Sequence, residues 1–239
     1  MVRVTVTDAA AEATDQAAQR LADAIAAGRR DGRVVHLSLA GGNTPRAAYE
    51  RLANLVDQWE GVELWLGDER LVPSDDPESN YRMLAESLLG PTGAIAHAVP
   101  TEGSAEQAAS AYGDLIRERV PAGPDGIPVL DFALLGLGED GHTASLFPDA
   151  PALEARGEIC VAVHDAPKPP RDRVTLTLDV LRGARGAAIL ALGDAKARPV
   201  AAALEGPSAR VPASLLAAGP LELILDQAAA RELPAEARA

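Results

Sequence analysis

The chain has 239 residues, of which 47% are hydrophobic, and its formal net charge is −13 at pH 7. This length and apolar content are sufficient for a large core. The acidic charge argues against nucleic acid or an anionic membrane as a partner. No apolar run is long enough to cross a membrane, and the start MVRVTVTDAAAEATD lacks the segments of a signal peptide. We therefore expect a soluble protein that stays in the cytoplasm, and no obligate protein partner is evident.

Short β-branched runs alternate with alanine-rich amphipathic stretches along the chain. The strand candidates are VRVTV, RVVHLSLA, VELWL, AIAHAVP, VLDFALLGLG, CVAVHDA, RVTLTL, GAAILALG and LELILD. Most are separated by helical patterns, and Thr7 or Asp8 is predicted to cap the first helix. The alternation predicts one α/β domain over residues 1–239, with a mostly parallel sheet covered by helices on both faces. RVTLTL is too close to its neighbours for a full crossover, which favours antiparallel pairing.

Three predicted strands end in unusual loops. GGNTP follows the second strand, GDER follows the third, and GEDGH follows the strand that ends at Gly136. Ligands of open α/β sheets bind outside the carboxyl ends of the strands. We therefore expect these three loops to converge on one crevice.

The segment LLGLGEDGHTASLFPDA, residues 134–150, contains the G-x-G-x-x-G spacing of a dinucleotide-binding turn. That fingerprint needs a helix after its third glycine, and Pro148 would interrupt such a helix. Glu139 and Asp140 would also face the charges of the pyrophosphate. A dinucleotide site is therefore disfavoured, and what remains is a tight turn that carries two acids and a histidine.

His142 follows these acids, and a carboxylate such as Asp140 can orient a neutral imidazole to take a proton from water. The alternative is a structural turn with a solvated acid pair. The other histidines, His36, His97 and His164, are expected to be packed or on the surface. The single cysteine, Cys160, lies in an apolar run, and no dense ligand spacing occurs, so no metal site is expected.

The other two loops offer binding groups. Gly41, Gly42, Asn43 and Thr44 open a helix and could cradle a phosphate or a sugar oxygen, or they could form an ordinary capped turn.

Asp68, Glu69 and Arg70 come directly off the third strand, where functional side chains gather. The alternative is a surface charge cluster with Asn80 capping the next helix.

Cations for an anionic ligand are scarce in this acidic chain. Lys168 and Lys196 are the only lysines among 22 basic residues. Lys168 lies close to Arg171 and Arg173 in KPPRDR, where the group could hold a phosphate or polarise a carbonyl. The alternative is a solvated basic loop.

Five blocks, AGGNTP, GDERLVPSDDPESN, LLGLGEDGHTASLFP, KPPRDRVTLT and LGDAKA, occur in this order between residues 40 and 198. Together they resemble the 6-phosphogluconolactonase family, whose sequence the third block matches almost word for word. That family is similar in fold to glucosamine-6-phosphate deaminase and ribose-5-phosphate isomerase. The resemblance implies a Rossmann-like three-layer fold, no cofactor, and hydrolysis of 6-phospho-D-glucono-1,5-lactone in the oxidative pentose phosphate pathway.

The resemblance makes His142 the general base for water and Asp140 the residue that orients it. The chain has Asn43 where the family more often has Ser or Thr. With the loop patterns above, the predicted substrate-binding set is Gly41, Gly42, Asn43, Thr44, Asp68, Glu69, Arg70, Asn80, Lys168, Arg173 and Lys196.

Two rival functions remain open. A deaminase-like sugar-phosphate isomerase shares an Asp after the third strand and a D-G-H turn, whereas GDERLVP with Arg70 and KPP favour the lactonase. A non-catalytic sugar-phosphate sensor has the same fold, but this chain keeps His142 and has no helix-turn-helix extension.

Overall fold

The computed structural model describes residues 2–238 and contains ten strands. They are β1 (Arg3–Thr7), β2 (Val35–Leu39), β3 (Val62–Leu66), β4 (Asp68–Arg70), β5 (Ile95–His97), β6 (Phe132–Leu135), β7 (Cys160–Val163), β8 (Arg173–Leu176), β9 (Ala187–Ala191) and β10 (Leu221–Asp226). Seven of them form one parallel sheet in the order β1-β10-β9-β6-β2-β3-β5. The predicted parallel α/β architecture is confirmed.

The helices are α1 (Ala10–Arg30), α2 (Asn43–Leu55), α3 (Asn80–Leu84), α4 (Gly90–Thr92), α5 (Ala105–Arg119), α6 (Leu178–Gly183) and α7 (Ala197–Leu204). A π-helical turn, Ala85–Leu89, joins α3 to α4, and 3₁₀ turns lie at Pro151–Glu154, Asp194–Lys196, Pro212–Ala218 and Ala235–Ala237. Within the described part of the chain, no helix is long and apolar enough to cross a membrane.

The predicted cap of α1 was wrong. The N-cap residue is Ala9, which supplies no side-chain cap. Thr7 is still part of β1, and its hydroxyl donates to the carbonyls of Ala9 and Leu225. Asp8 is not the cap either. Its backbone N–H donates to the side-chain carboxylate of Glu12 at 3.1 Å.

The central strands of the sheet are covered on both faces. Every residue of β2, β9 and β10 is buried, whichever face its side chain points to. Buried parallel strands have this continuous apolar character because both of their faces pack against other elements. The runs of Ala, Leu, Ile and Val in these strands therefore form the core.

A second, antiparallel sheet is attached to the first at Gly67. It contains three strands in the order β4-β8-β7, so the antiparallel pairing predicted for RVTLTL is confirmed. The N–H of Gly67 donates to the carbonyl of Leu39 in the large sheet at 3.1 Å, and its own carbonyl accepts from Leu176 in the small sheet at 2.9 Å. The chain thus leaves the end of β3 and passes directly into β4.

Candidate functional site

A cleft of about 700 Å³ opens beside the ends of β2, β3 and β6, where the three predicted loops meet. The small sheet and the turn before α7 complete its walls. Eleven of the thirteen predicted site residues line it: Gly41, Gly42, Asn43, Asp68, Arg70, Asn80, Asp140, His142, Lys168, Arg173 and Lys196. The remaining two, Thr44 and Glu69, do not.

His142 and Asp140 form a hydrogen-bonded pair in this cleft. Nδ1 of His142 lies 2.5 Å from Oδ1 of Asp140, and the same oxygen accepts the backbone N–H of His142 at 3.1 Å. An ionised carboxylate can only accept, so Nδ1 carries a proton and Nε2 of the neutral imidazole has the free lone pair. The pair therefore leaves one ring nitrogen able to take a proton.

The charge of Asp140 is stabilised by this contact. Partial burial acts to raise the pKa of Asp140, but the backbone N–H and the ring of His142 outweigh it and hold the pKa below its usual value. Asp140 is thus an anion at neutral pH, as the orientation of His142 requires.

The glycines of this segment make room for the pair. A Cβ on Gly138 would lie 2.0 Å from Nδ1 of His142, so no other residue fits there without displacing the ring. Gly141 has a φ of +85°, which glycine adopts without strain. In the described residues 142–150 no helix follows Gly141, in agreement with the interruption predicted at Pro148.

Asp68 is a second carboxylate of the cleft, and it is tied to two other loops. Its Oδ2 accepts the hydroxyl of Ser145 at 2.6 Å, and its backbone carbonyl accepts Nδ2 of Asn80 at 2.8 Å. Gly41 permits this arrangement, since a Cβ there would lie 1.8 Å from Oδ1 of Asn80. Sequence reasoning missed Ser145, although it lies three residues after His142 in the most distinctive block.

The amino end of α2 reaches the cleft. Gly42 precedes the helix with a φ of +108° and no side chain caps its first N–H groups. Uncapped N–H groups at a helix start attract anions or oxygen atoms of a ligand. Thr44, in the first turn of the helix, is not among the residues that line the cleft, and its contact with a ligand stays a prediction.

Glu69 corrects the predicted set. Successive side chains of a strand point to opposite faces, so Glu69 points away from the side that Asp68 and Arg70 share. Its side chain is buried and accepts hydrogen bonds of 2.8–2.9 Å from the N–H groups of Arg70, Asn80 and Tyr81 and from the hydroxyl of Ser79. Burial raises the pKa of Glu69, and these hydrogen bonds act to lower it. Glu69 holds the start of α3 and does not face the cleft.

Two arginines lie side by side at the cleft. Arg70 and Arg173 are directly opposite in the register of β4 and β8. Arg70 contacts the carboxylate of Glu78 at 3.7 Å, whereas Arg173 has no acidic partner among residues 2–238. Burial lowers the pKa of the Arg173 guanidinium. Like charges directly opposite in a sheet repel each other, so each guanidinium needs compensation from other groups.

The two lysines come from different loops. Lys168 is exposed on the loop between β7 and β8, and Lys196 ends the 3₁₀ turn before α7. That turn is held by Asp226, whose carboxylate accepts the N–H of Gly193 at 3.0 Å. Among residues 2–238, no group of three or more His, Cys, Asp or Glu side chains is arranged to hold a metal ion.

Comparison with known proteins identifies the family. Residues 8–225 match the model of the glucosamine-6-phosphate isomerases/6-phosphogluconolactonase family. The chain belongs to this family. A 6-phosphogluconolactonase of Streptomyces coelicolor is 36% identical over 230 residues, which cover 92% of this chain and 85% of that protein.

Solved structures of the family agree. The 6-phosphogluconolactonase of Trypanosoma brucei superposes with a TM-score of 0.88 at 29% identity, over 98% of this chain and 99% of that one. A monomeric glucosamine-6-phosphate deaminase superposes with a TM-score of 0.81 over 97% of this chain and all of that one, but at 22% identity. The second likeness shows a shared fold only.

The hydrogen bonds of Glu69 at the start of α3 can be tested by measuring the free energy of unfolding. Glu69→Ala would leave buried N–H and hydroxyl groups unpaired, so we expect the free energy of unfolding to fall by about 2–3 kcal/mol in urea titrations. Glu118→Ala, at an exposed position of α5, is the matched control and should change it by less than about 0.5 kcal/mol. An unchanged urea midpoint for Glu69→Ala would contradict the capping role.

Proposed function

We propose that this protein hydrolyses 6-phospho-D-glucono-1,5-lactone to 6-phospho-D-gluconate, and that His142 activates the attacking water. This reaction belongs to the oxidative pentose phosphate pathway. One observation carries the proposal: the His142–Asp140 pair lies in the same cleft as Arg70, Lys168 and Lys196. A base for water and cations for a phosphate are what this substrate needs. The relatives named as 6-phosphogluconolactonases support the same reaction.

The chemical step follows from the free nitrogen of the imidazole. Nε2 of His142 takes a proton from water as the water oxygen bonds to the lactone carbonyl carbon. The carbonyl becomes a tetrahedral oxyanion, and the imidazolium is stabilised by Asp140 at Nδ1. The oxyanion then collapses, the bond to the ring oxygen breaks, and the imidazolium gives its proton to that oxygen. A lactone is reactive enough that no covalent enzyme intermediate is required.

Binding uses opposite charges in a protein that is acidic overall. We assign the phosphate to Arg70, Lys168 and Lys196, which reach the cleft from three different segments. The uncapped N–H groups at the start of α2, beside Asn43, are assigned to oxygen atoms of the substrate. The cations thus set the substrate's phosphate at one end of the cleft and leave the ring near His142.

A second candidate function is a glucosamine-6-phosphate deaminase-like isomerisation. The family model covers both activities, and Asp68 supplies a second carboxylate in the cleft. Both oxygens of that carboxylate have donors of the protein nearby, Ser145 at 2.6 Å and Asn80 at 3.4 Å, so they are already engaged in the structure. The lactonase is therefore the better supported function, and a sensor without activity is the remaining alternative.

The reaction can be tested directly. Glucose-6-phosphate dehydrogenase generates the lactone, and we expect the purified protein to accelerate its loss well above the spontaneous rate. It should release no ammonia from glucosamine 6-phosphate. Ammonia release at a comparable rate would favour the deaminase, and absence of both activities would favour the sensor.

His142→Ala tests the chemical step. We expect kcat to fall by about 10²- to 10⁴-fold with little change in KM, since the base acts on water and does not hold the substrate. His142→Asn should do no better, because an amide cannot accept the proton. Turnover near the wild-type value in His142→Ala would show that the base lies elsewhere, with Asp68 the next candidate.

Lys196→Ala tests the phosphate assignment. We expect KM for the phosphorylated lactone to rise about tenfold or more, as for the loss of one charged hydrogen bond, and KM for unphosphorylated gluconolactone to change less than about twofold. Arg30→Ala removes a positive charge at the exposed end of α1 and serves as the control. Equal changes of KM for both substrates would refute the assignment.

A further inference from the structure

Arg173 is a buried cation that directs its hydrogen bonds to the protein. Only 7% of the residue is exposed. Its Nε donates to the carbonyl of Pro170 at 3.1 Å, and Nη2 donates to the carbonyl of Lys168 at 2.9 Å. Both acceptors lie in the loop between β7 and β8. A guanidinium is rigid and planar, so one side chain fixes two carbonyls of that loop in a single geometry.

The same guanidinium is connected to the catalytic histidine. It lies over the ring of Phe147, 5.6 Å from the ring centre, and the ring of His142 packs on Phe147 with a centre-to-centre distance of 4.7 Å. Phe147 forms a small apolar cluster with Val163 and Ala166, apart from the main core. Ala166 belongs to the loop that carries Lys168.

A third donor of Arg173 also meets a protein atom. Nη1 lies 3.5 Å from Oγ of Ser145, the hydroxyl that donates to Asp68, so three of the five N–H groups are held by the protein. Burying a cation is costly unless it is compensated, and here the compensation comes from backbone carbonyls and an aromatic face. A residue whose donors are held in this way is arranged to support neighbours.

We propose that Arg173 is a positioning residue, which holds the loop of Lys168 and, through Phe147, the ring of His142, and does not itself bind the phosphate. This inference rests on the proposed function, which assigns Lys168 to the phosphate. It also replaces the direct substrate contact that the sequence predicted for Arg173.

A double-mutant cycle separates the two roles. The variants are Arg173→Met, Lys168→Ala and the combination, assayed on the phosphorylated lactone and on unphosphorylated gluconolactone. We expect each single variant to raise KM for the phosphorylated lactone about tenfold. The KM of the double variant for the phosphorylated lactone should be within about twofold of the KM of Lys168→Ala. The position of the loop no longer affects phosphate binding once the loop carries no cation. Arg173→Met should also lower kcat severalfold on both substrates, through the lost support of His142.

Arg173→Lys provides the second test and replaces Arg173→Met in the cycle if that variant does not fold. A lysine keeps the charge but cannot hold two carbonyls at once, so a positioning role predicts KM as high as in Arg173→Met. Amide hydrogen exchange should also become faster in residues 164–172, including the N–H of Ala166 that donates to Arg171 at 3.1 Å, and stay unchanged in β2 and β9.

The outcomes distinguish the inference from the proposed function. If the increases in KM multiply in the double variant, or if Arg173→Lys keeps a wild-type KM, Arg173 binds the phosphate directly and the inference is overturned, while the proposed function stands. If Lys168→Ala leaves KM unchanged for the phosphorylated lactone, the assignment of Lys168 to the phosphate fails, and the inference fails with it.

Discussion

All seven strands of the large sheet run parallel, so their carboxyl ends share one edge, and the loops that bear the site leave from that edge. The constraint explains why groups far apart in the chain meet in one cleft. The small sheet begins at the same edge, because only Gly67 separates the end of β3 from the start of β4. The small sheet and its loop thereby bring Arg70, Lys168 and Arg173 to a cleft that opens at the end of the large sheet.

The electrostatics of the cleft resolve an apparent conflict. A chain with a net charge of −13 should repel an anionic sugar phosphate at long range. Four carboxylates line the cleft, those of Asp68, Glu78, Glu139 and Asp140. Asp68 accepts from Ser145, Asp140 is paired with His142, and Glu78 lies 3.7 Å from Arg70. The four cations of the cleft balance these carboxylates, so the cleft is less negative than the chain as a whole, and its charges act over a few ångströms where screening by salt is weak.

Rigidity is distributed unevenly around the site. His142 is fixed by a short bond to Asp140 and by Phe147, in a turn where Gly138 leaves no spare volume. The side chain of Lys168 instead is exposed, and the loop that carries it is held by the guanidinium of Arg173 and by buried Ala166, which packs with Phe147. The base is therefore held directly, whereas the position of this cation depends on the supports of its loop.

The sequence by itself determined most of the elements, the parallel character of the sheet, and the three segments in which the site lies, although GDER, predicted as a loop, forms β4. Apolar periodicity and turn residues are local properties, so VELWL followed by GDER could be interpreted without distant contacts, as could the acids before His142. Only the tertiary structure decided what each side chain in those loops touches. Ser145 meets Asp68 across 77 positions of the chain, and Glu69 turns inward because β4 pairs with β8. The direction of a side chain depends on strand pairing and packing between remote segments, which no local pattern encodes.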